Sequence, residues 1–330
     1  MIIVRSPLRI SLGGGGTDLP SYYSKKGGFV ISAAINKYVY VSITRPFRPG
    51  VYLKYSSIEK ISHIDKIKHP IIRETLREEK LFNKSLEITT LADIPSGTGL
   101  GSSGSFTTAL IKAIYFDQKK IISGKKLAEK ACKIEIDILN EPSGKQDQYI
   151  SSYGGVNSFK FQKNGDVKIE PLKISEINLS KLENNLLLFY TGFTRESKKI
   201  LITQAKGSIN TNSGMIKKLD KIKEIGIKIS SLLKEGNFEE FAEIMNEHWM
   251  QKKKRSNLMS NTKIDSLYEG GLKNGALGGK LVGAGGGGFL MFYANDKEKL
   301  KNYFMKRNIE EVEFKFEFEG SKIIMEWITL

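Results

Sequence analysis

The stretch Pro95-Ser96-Gly97-Thr98-Gly99-Leu100-Gly101-Ser102-Ser103-Gly104 decides how the chain is read. Before it, Leu86 to Ala92 is rich in β-branched residues and predicts a strand; after it, Ser103 to Phe116 predicts a helix. Glycine lets backbone N–H groups come close to a ligand and take positive φ, and the helix N-terminus behind the loop adds unpaired N–H groups and partial positive charge. Such a loop can cradle phosphate oxygens. Within it, Gly99-x-Gly101-x-x-Gly104 has the spacing of a dinucleotide fingerprint. Three features oppose a dehydrogenase: the match lies far into the chain, its two serines suit phosphate and metal, and no strand ending in an acidic residue follows at the required distance. A Walker loop is excluded because no Gly-Lys-Ser/Thr closes the glycines.

Outward from this loop, two further glycine-rich segments stand far apart, Gly13-Gly14-Gly15-Gly16-Thr17-Asp18 and Gly283-Ala284-Gly285-Gly286-Gly287-Gly288. The chain opens with strand-like text at Ile2 to Arg5, Leu8 to Leu12, Phe29 to Ile35 and Lys37 to Thr44, and a charged stretch from Asp65 to Lys80 is compatible with a helix. Strands and helices alternate without a strict βαβ period, which predicts an α+β fold. From Asn184 the pattern begins again with a buried strand, Leu186 to Tyr190. Asn237 and Glu240 have the spacing of a capping box, and Phe241, Ile244, Met245 and His248 then fall on one helical face. Val312, Phe314, Phe316 and Phe318 alternate with charged residues as in a half-buried strand. A length of 330 residues suits two domains, each with its own interior. The division is expected between residues 170 and 183, giving domains 1–175 and 176–330.

Apolar residues at 40% and charged residues at 27% describe a chain that folds throughout. The net charge of +16 suits anionic partners, but Lys is spread along the whole chain as a background bias would place it. The one dense basic run, Lys252-Lys253-Lys254-Arg255, lacks interleaved aromatics, so small anions rather than nucleic acid are the expected partners. Cys132 is the single cysteine, which excludes an intrachain disulfide. Nowhere do eighteen apolar residues run together, so a cytoplasmic protein without a membrane partner is expected.

The segment Pro95 to Ser105 resembles the nucleotide motif of the GHMP kinases, the superfamily of galactokinase, homoserine kinase and mevalonate kinase. Arg9 with Gly13 to Asp18 is similar to the first motif of that superfamily, and Lys280 to Gly288 to its third, in the same order. The resemblance covers the chain nearly end to end. It implies a ribosomal-protein-S5-like N-terminal domain, a ferredoxin-like C-terminal domain, ATP and Mg²⁺. Within the superfamily the wording is closest to kinases of heptose phosphates, through Pro7-Leu8-Arg9-Ile10, Gly144-Lys145-Gln146-Asp147-Gln148-Tyr149, Thr191-Gly192-Phe193-Thr194-Arg195 and Leu277-Gly278-Gly279-Lys280-Leu281. That branch implies phosphorylation of D-glycero-D-manno-heptose 7-phosphate on its anomeric hydroxyl. Galactokinases carry Glu-His where Gly15-Gly16 stand here, which argues against galactose. A kinase of another sugar such as fucose, or a member of the fold that binds without catalysis, is the alternative. A monomer or homodimer is expected.

The resemblance also distributes roles. Pro95, Gly97, Gly99, Leu100, Gly101, Ser102, Ser103 and Gly104 form the expected nucleotide loop. Asp147 is the expected base for the acceptor proton, where a random Asp-Gln would more often cap a helix. Arg9 is expected to stabilise charge on the transferring group; otherwise it is a strand-end arginine in water. Ser103 and Glu135 are the expected metal ligands, with neighbouring Asp137 able to compete for the role. Gly15, Gly16, Thr17 and Asp18 are expected to meet the sugar, although Asp18 could equally close an Asx-turn. A distal phosphate needs cations, for which Lys252 and Arg255, on the side of the helix that carries His248, and Arg195 and Lys198 are the candidates.

Overall fold

The computed structural model describes residues 1–82, 85–193, 202–203, 207 and 214–326. Two long antiparallel strands build its frame, β1 (Ile2–Gly13) and β2 (Gly28–Thr44). Each was expected as two strands. The ladder slips between Pro7 and Leu8, opposite Tyr38 and Ile35, so Asn36 and Lys37 bulge out while the strand continues. Pro7 has no N–H to give, which makes the slip cheap at that point. β2 changes neighbours across the bulge. Its first half pairs with β6 (Val156–Phe161) and its second with β5 (Leu86–Ala92), and β3 (Val51–Lys54), β4 (Ile58–Ile61) and β7 (Val167–Pro171) complete this side of the sheet.

Between β1 and β2 runs a short helix, α1 (Pro20–Lys26). The stretch from Asp65 to Lys80 is not one helix. A 3₁₀ turn (Ile64–Lys66) precedes α2 (Pro70–Glu78), because Pro70 holds His69 in extended geometry at φ −69°, ψ 110°. One face of the sheet is covered by α3 (Ser102–Asp117), with α4 (Gly124–Cys132) and α5 (Gln146–Tyr153) layered against it. Cys132 is buried at the end of α4.

After α6 (Glu176–Asn185) comes β8 (Leu186–Tyr190), which with β9 (Ala276–Leu281) and β10 (Phe289–Ala294) forms an antiparallel sheet in the order β8-β10-β9. Three helices accompany it, α7 (Met215–Glu235), α8 (Phe238–Lys253) and α9 (Thr262–Lys273), followed by α10 (Lys297–Met305). The Asn237 side chain accepts from Glu240 N at 3.3 Å and caps the start of α8, while its amide donates to Glu240 Oε2 at 2.9 Å and its backbone N to Leu232 O, so only half of the capping box forms.

The apolar run Leu186 to Tyr190 is buried on both faces. Leu188, Met291 and Tyr293 join the large cluster that also holds Ile10 and Leu110, while Leu187, Phe189, Leu290 and Phe292 face a second cluster. This differs from the expected separate interiors: one apolar cluster spans both halves. Each such side chain contributes about 1.5–3 kcal/mol by burial, which binds the halves together. The chain also crosses back, because β11 (Lys322–Glu326) pairs with β1 in the first sheet. Val312 to Phe318 is not a regular strand. It bridges the two sheets, with Val312 N donating to Leu188 O at 2.8 Å and Glu317 N to Ala34 O at 2.9 Å, so no single neighbour continues and Phe318 is left 59% exposed. No helix among the described residues is long and apolar enough to cross a membrane.

Candidate active site

A cleft of about 1280 Å³ runs along the face where the two halves meet. Its volume exceeds that of an ordinary single-ligand pocket, so two small molecules fit. The loop before α3 forms part of its wall. Gly97, Gly99 and Gly101 take φ of +79°, +86° and +79°, and Gly101 is the N-cap of α3 without any capping side chain. The first-turn N–H groups of α3 are therefore left for a ligand. The third glycine segment supports this loop from behind. A Cβ on Gly283 would stand 2.5 Å from Gly99 backbone, and one on Gly288 would stand 2.0 Å from Thr98 O. Glycine is required there because two backbones touch.

Arg9, on β1, reaches across to α5. Its Nε donates to Asp147 Oδ1 at 2.8 Å and its Nη2 to Oδ2 at 2.9 Å, while Nη1 donates to Gly99 O. One buried guanidinium thus fixes a carboxylate and the glycine loop together. The Asp147 side chain keeps 24% exposure, on the cleft side. Gly104 permits the approach of α3 to α5, since a Cβ there would lie 2.7 Å from Asp147 Cβ.

Behind the loop, the Ser103 hydroxyl donates to Glu135, and Gln148 Nε2 donates to the other Glu135 oxygen at 3.1 Å. Glu135 lies on a π-helical turn, Lys133–Ile138, that widens the end of α4. The turn points Glu135 inward and leaves Asp137 exposed. Burial raises the Glu135 carboxyl above its ordinary value, and the Ser103 and Gln148 donors oppose this. No group of three or more His, Cys, Asp or Glu converges on a metal among the described residues. One carboxylate with a neighbouring hydroxyl suits Mg²⁺, which keeps phosphates and water as its other ligands.

Asp18 lines the cleft at 2% exposure and accepts from Gly16 N at 2.9 Å and Gln146 N at 3.1 Å. It therefore holds the start of α5 in place, and each oxygen keeps a lone pair for a further donor. Burial raises its carboxyl above the ordinary value. A Cβ on Gly144 would overlap the Asp18 carboxylate at 1.9 Å, which explains the glycine in Gly144-Lys145-Gln146-Asp147. Thr17 is elsewhere: it is fully buried, and its hydroxyl is spent on Gly14 O and Phe29 O, both at 2.9 Å. Gly15 and Gly16 line the cleft beside Arg255, whose Nη2 donates to Gly15 O at 3.0 Å. Leu100 and Gly104 are buried behind the cleft surface that Gly97, Gly99, Gly101, Ser102 and Ser103 form, and Pro95 is exposed outside it.

Lys252 and Arg255 both reach the cleft, as the helical spacing from His248 predicts. Lys252 Nζ donates to Leu281 O at 3.1 Å and to Gly283 O. Arg195 and Lys198 lie outside the described residues. The sequence reading missed Lys280, whose Nζ donates to Leu12 O at 2.8 Å, as well as Ser11 and Gln146, all of which line the cleft. A lysine between Gly279 and Leu281 in a strand was the available signal, because an unpaired charge is rare inside such a run. At the other end the cleft turns apolar. Tyr55 meets His69 edge-on and His69 meets Phe106 at a tilt there, with ring centroids 4.9 and 5.1 Å apart, next to Ile94 and Leu91.

Comparison with known proteins agrees with this geometry. The family models described as GHMP kinases N terminal domain and GHMP kinases C terminal match residues 66–155 and 229–308. The chain is 30% identical to a D-glycero-alpha-D-manno-heptose 7-phosphate kinase of Campylobacter jejuni, covering 97% of this chain and 98% of that protein. It is 27% identical to an L-fucokinase/L-fucose-1-P guanylyltransferase of Bacteroides fragilis over 89% of this chain but only 34% of that longer protein. A solved D-glycero-D-manno-heptose 1-phosphate kinase from Bacteroides thetaiotaomicron superposes with a TM-score of 0.82 and 26% identity, covering 99% of this chain and 100% of that one. With family models matching in both halves and a relative of equal extent, the chain belongs to the GHMP kinase family and is a phosphotransferase.

Proposed function

We propose that the chain transfers the γ-phosphate of ATP to the anomeric hydroxyl of D-glycero-D-manno-heptose 7-phosphate, giving the 1,7-bisphosphate and ADP. The observation that carries this reading is the Arg9–Asp147 pair, bidentate, open to the cleft and joined to the phosphate loop through Gly99 O. In the proposed reaction the triphosphate lies over Gly97 to Ser103 and its base packs into the corner of Tyr55, His69 and Phe106. The sugar lies over Ser11, Gly15, Gly16 and Asp18. Asp147 takes the proton of the anomeric hydroxyl as its oxygen bonds to the γ-phosphorus, and the bond to the β,γ-bridging oxygen breaks to release ADP. Arg9 orients that carboxylate and offsets charge developing on the transferring group. Ser103 and Glu135 would hold Mg²⁺, which when bound neutralises phosphate charge. Among the other cations of the cleft, Lys252 and Arg255 face the sugar's own phosphate.

The two heptose kinases named above differ in where their substrate's phosphate is placed. Lys280, bonded to Leu12 O, and Arg255, bonded to Gly15 O, lie beside the segment assigned to the sugar and favour a phosphate carried by the sugar away from the reacting hydroxyl. The domain division is placed at residues 175 and 176, with β11 returned to the first domain, and the reaction in the cytoplasm. The test is a panel of heptose 7-phosphate, unphosphorylated heptose, fucose and galactose with Mg-ATP, following ADP release and locating the new phosphate by phosphorus NMR. Preferred turnover of heptose 7-phosphate with an anomeric phosphate resonance is expected. Preference for an unphosphorylated sugar, or a new phosphate elsewhere, defeats the reading.

A further inference from the structure

His248, Lys252, Arg255 and Lys280 converge on the C-terminal wall of the cleft, each at most 5% exposed. Their charges are not balanced from within. Arg9 is paired with Asp147, and Arg255 is attracted by Asp18. Lys252 and Lys280 meet only the carbonyls of Leu281, Gly283 and Leu12, and among the described residues no carboxylate comes within ion-pair distance of either. His248 sits one helical turn before Lys252, and neither of its ring nitrogens has a hydrogen-bond partner. Buried charges without counter-ions and a buried imidazole without partners are each costly. A bound anion removes all of these costs at once.

We propose that His248, Lys252 and Lys280 form a receptor for the phosphate dianion that the sugar brings to the cleft, and that the cluster takes a proton from solvent as the dianion binds. This rests on the sugar-phosphate reading given above and names the residues that select the phosphorylated sugar. Position favours the acceptor over the nucleotide. Lys280 bonds to the end of β1 and Arg255 to Gly15, beside the segment assigned to the sugar, and only Lys252, through Gly283 O, also adjoins the loop assigned to the triphosphate. The proton follows from the same crowding. Burial and the neighbouring Lys280, Arg255 and Lys252 hold His248 well below its ordinary value. Burial, with Arg255 and Arg9, pushes Lys280 down to about 7, and Lys252 lies well below its usual range through burial and the charges of Arg255, Lys280 and Arg9. The empty site therefore sheds charge near neutral pH, and a dianion restores it.

The test measures binding of heptose 7-phosphate to the wild-type chain by calorimetry at pH 7.5 in two buffers of different ionisation enthalpy. Net proton uptake is expected; its absence overturns the proton step whatever the variants do. In kinetic assays His248→Asn is expected to lower the preference for heptose 7-phosphate over unphosphorylated heptose by about tenfold, equivalent to about 1.4 kcal/mol, with the KM for ATP little changed. Lys280→Met is the second variant, expected to act in the same direction, and thermal melts report whether each is folded. A rise in KM for ATP with an unchanged sugar preference assigns the cluster to the nucleotide and overturns the receptor. A wild-type enzyme that ignores heptose 7-phosphate defeats the substrate reading itself, whereas normal wild-type preference with unaltered variants defeats only this inference.

Discussion

Asp147 gives both oxygens to one guanidinium and still faces the cleft, so its carboxylate is oriented before any substrate arrives. Asp147→Asn keeps the shape and removes the proton acceptor; kcat is expected to fall by about 10²–10⁴-fold, with nucleotide affinity by fluorescence titration nearly unchanged. Equal loss of both would assign the residue to structure instead. Glu135→Gln is expected to raise the Mg²⁺ concentration for half-maximal rate by about tenfold or more, measured at saturating ATP. Residues of this kind were legible because the glycine motifs that flank them are distinctive. Thr17 was not, since its place in a motif says nothing about the direction of its hydroxyl, and the turn aims it at Phe29 O. The unpartnered ring of His248 was hidden for a related reason: only tertiary contacts show which hydrogen-bond partners a buried side chain lacks.

At the level of elements, the loop before α3 depends on a second glycine loop that packs against it and shares the cleft wall. Gly283→Ala puts a side chain at φ +76° and into Gly99 backbone. It is expected to cost about 1–3 kcal/mol in urea unfolding and to raise the KM for ATP, because the displaced partner is the loop itself. The strands Leu86 to Ala92 and Leu186 to Tyr190 were readable to the residue, the first through its β-branched content and the second as a short apolar run. Where one position redirects the chain, the reading failed. Pro70 divides a stretch with good helical composition, and Val312 to Phe318 alternates correctly but finds two half-neighbours in place of one strand partner.

Across the whole molecule, one apolar cluster holds residues of both halves, so unfolding is expected as a single calorimetric transition; two resolved transitions would show that the halves melt separately. The buried lysines of the cleft give that transition a pH signature. Lys280 binds its proton less readily folded, at about 7, than unfolded, near 10.5, so the unfolded chain holds more protons in between and stability rises with pH over that window. Lys280→Met is expected to reduce this slope, read from denaturation midpoints at pH 7, 8 and 9. The cluster's extent was not legible in the sequence, because the unbroken apolar run Leu186 to Tyr190 shows two buried faces without saying what each one meets.

The return of Lys322–Glu326 to the side of β1 has a consequence for how the chain is made. On the ribosome, the strand bearing Arg9 emerges long before the one that flanks it. Until that later strand emerges, the first sheet has a naked margin of unpaired amides beside the strand of Arg9, which is a template for wrong partners. A nascent chain halted before residue 322 would carry every glycine motif and still be prone to stick to its neighbours.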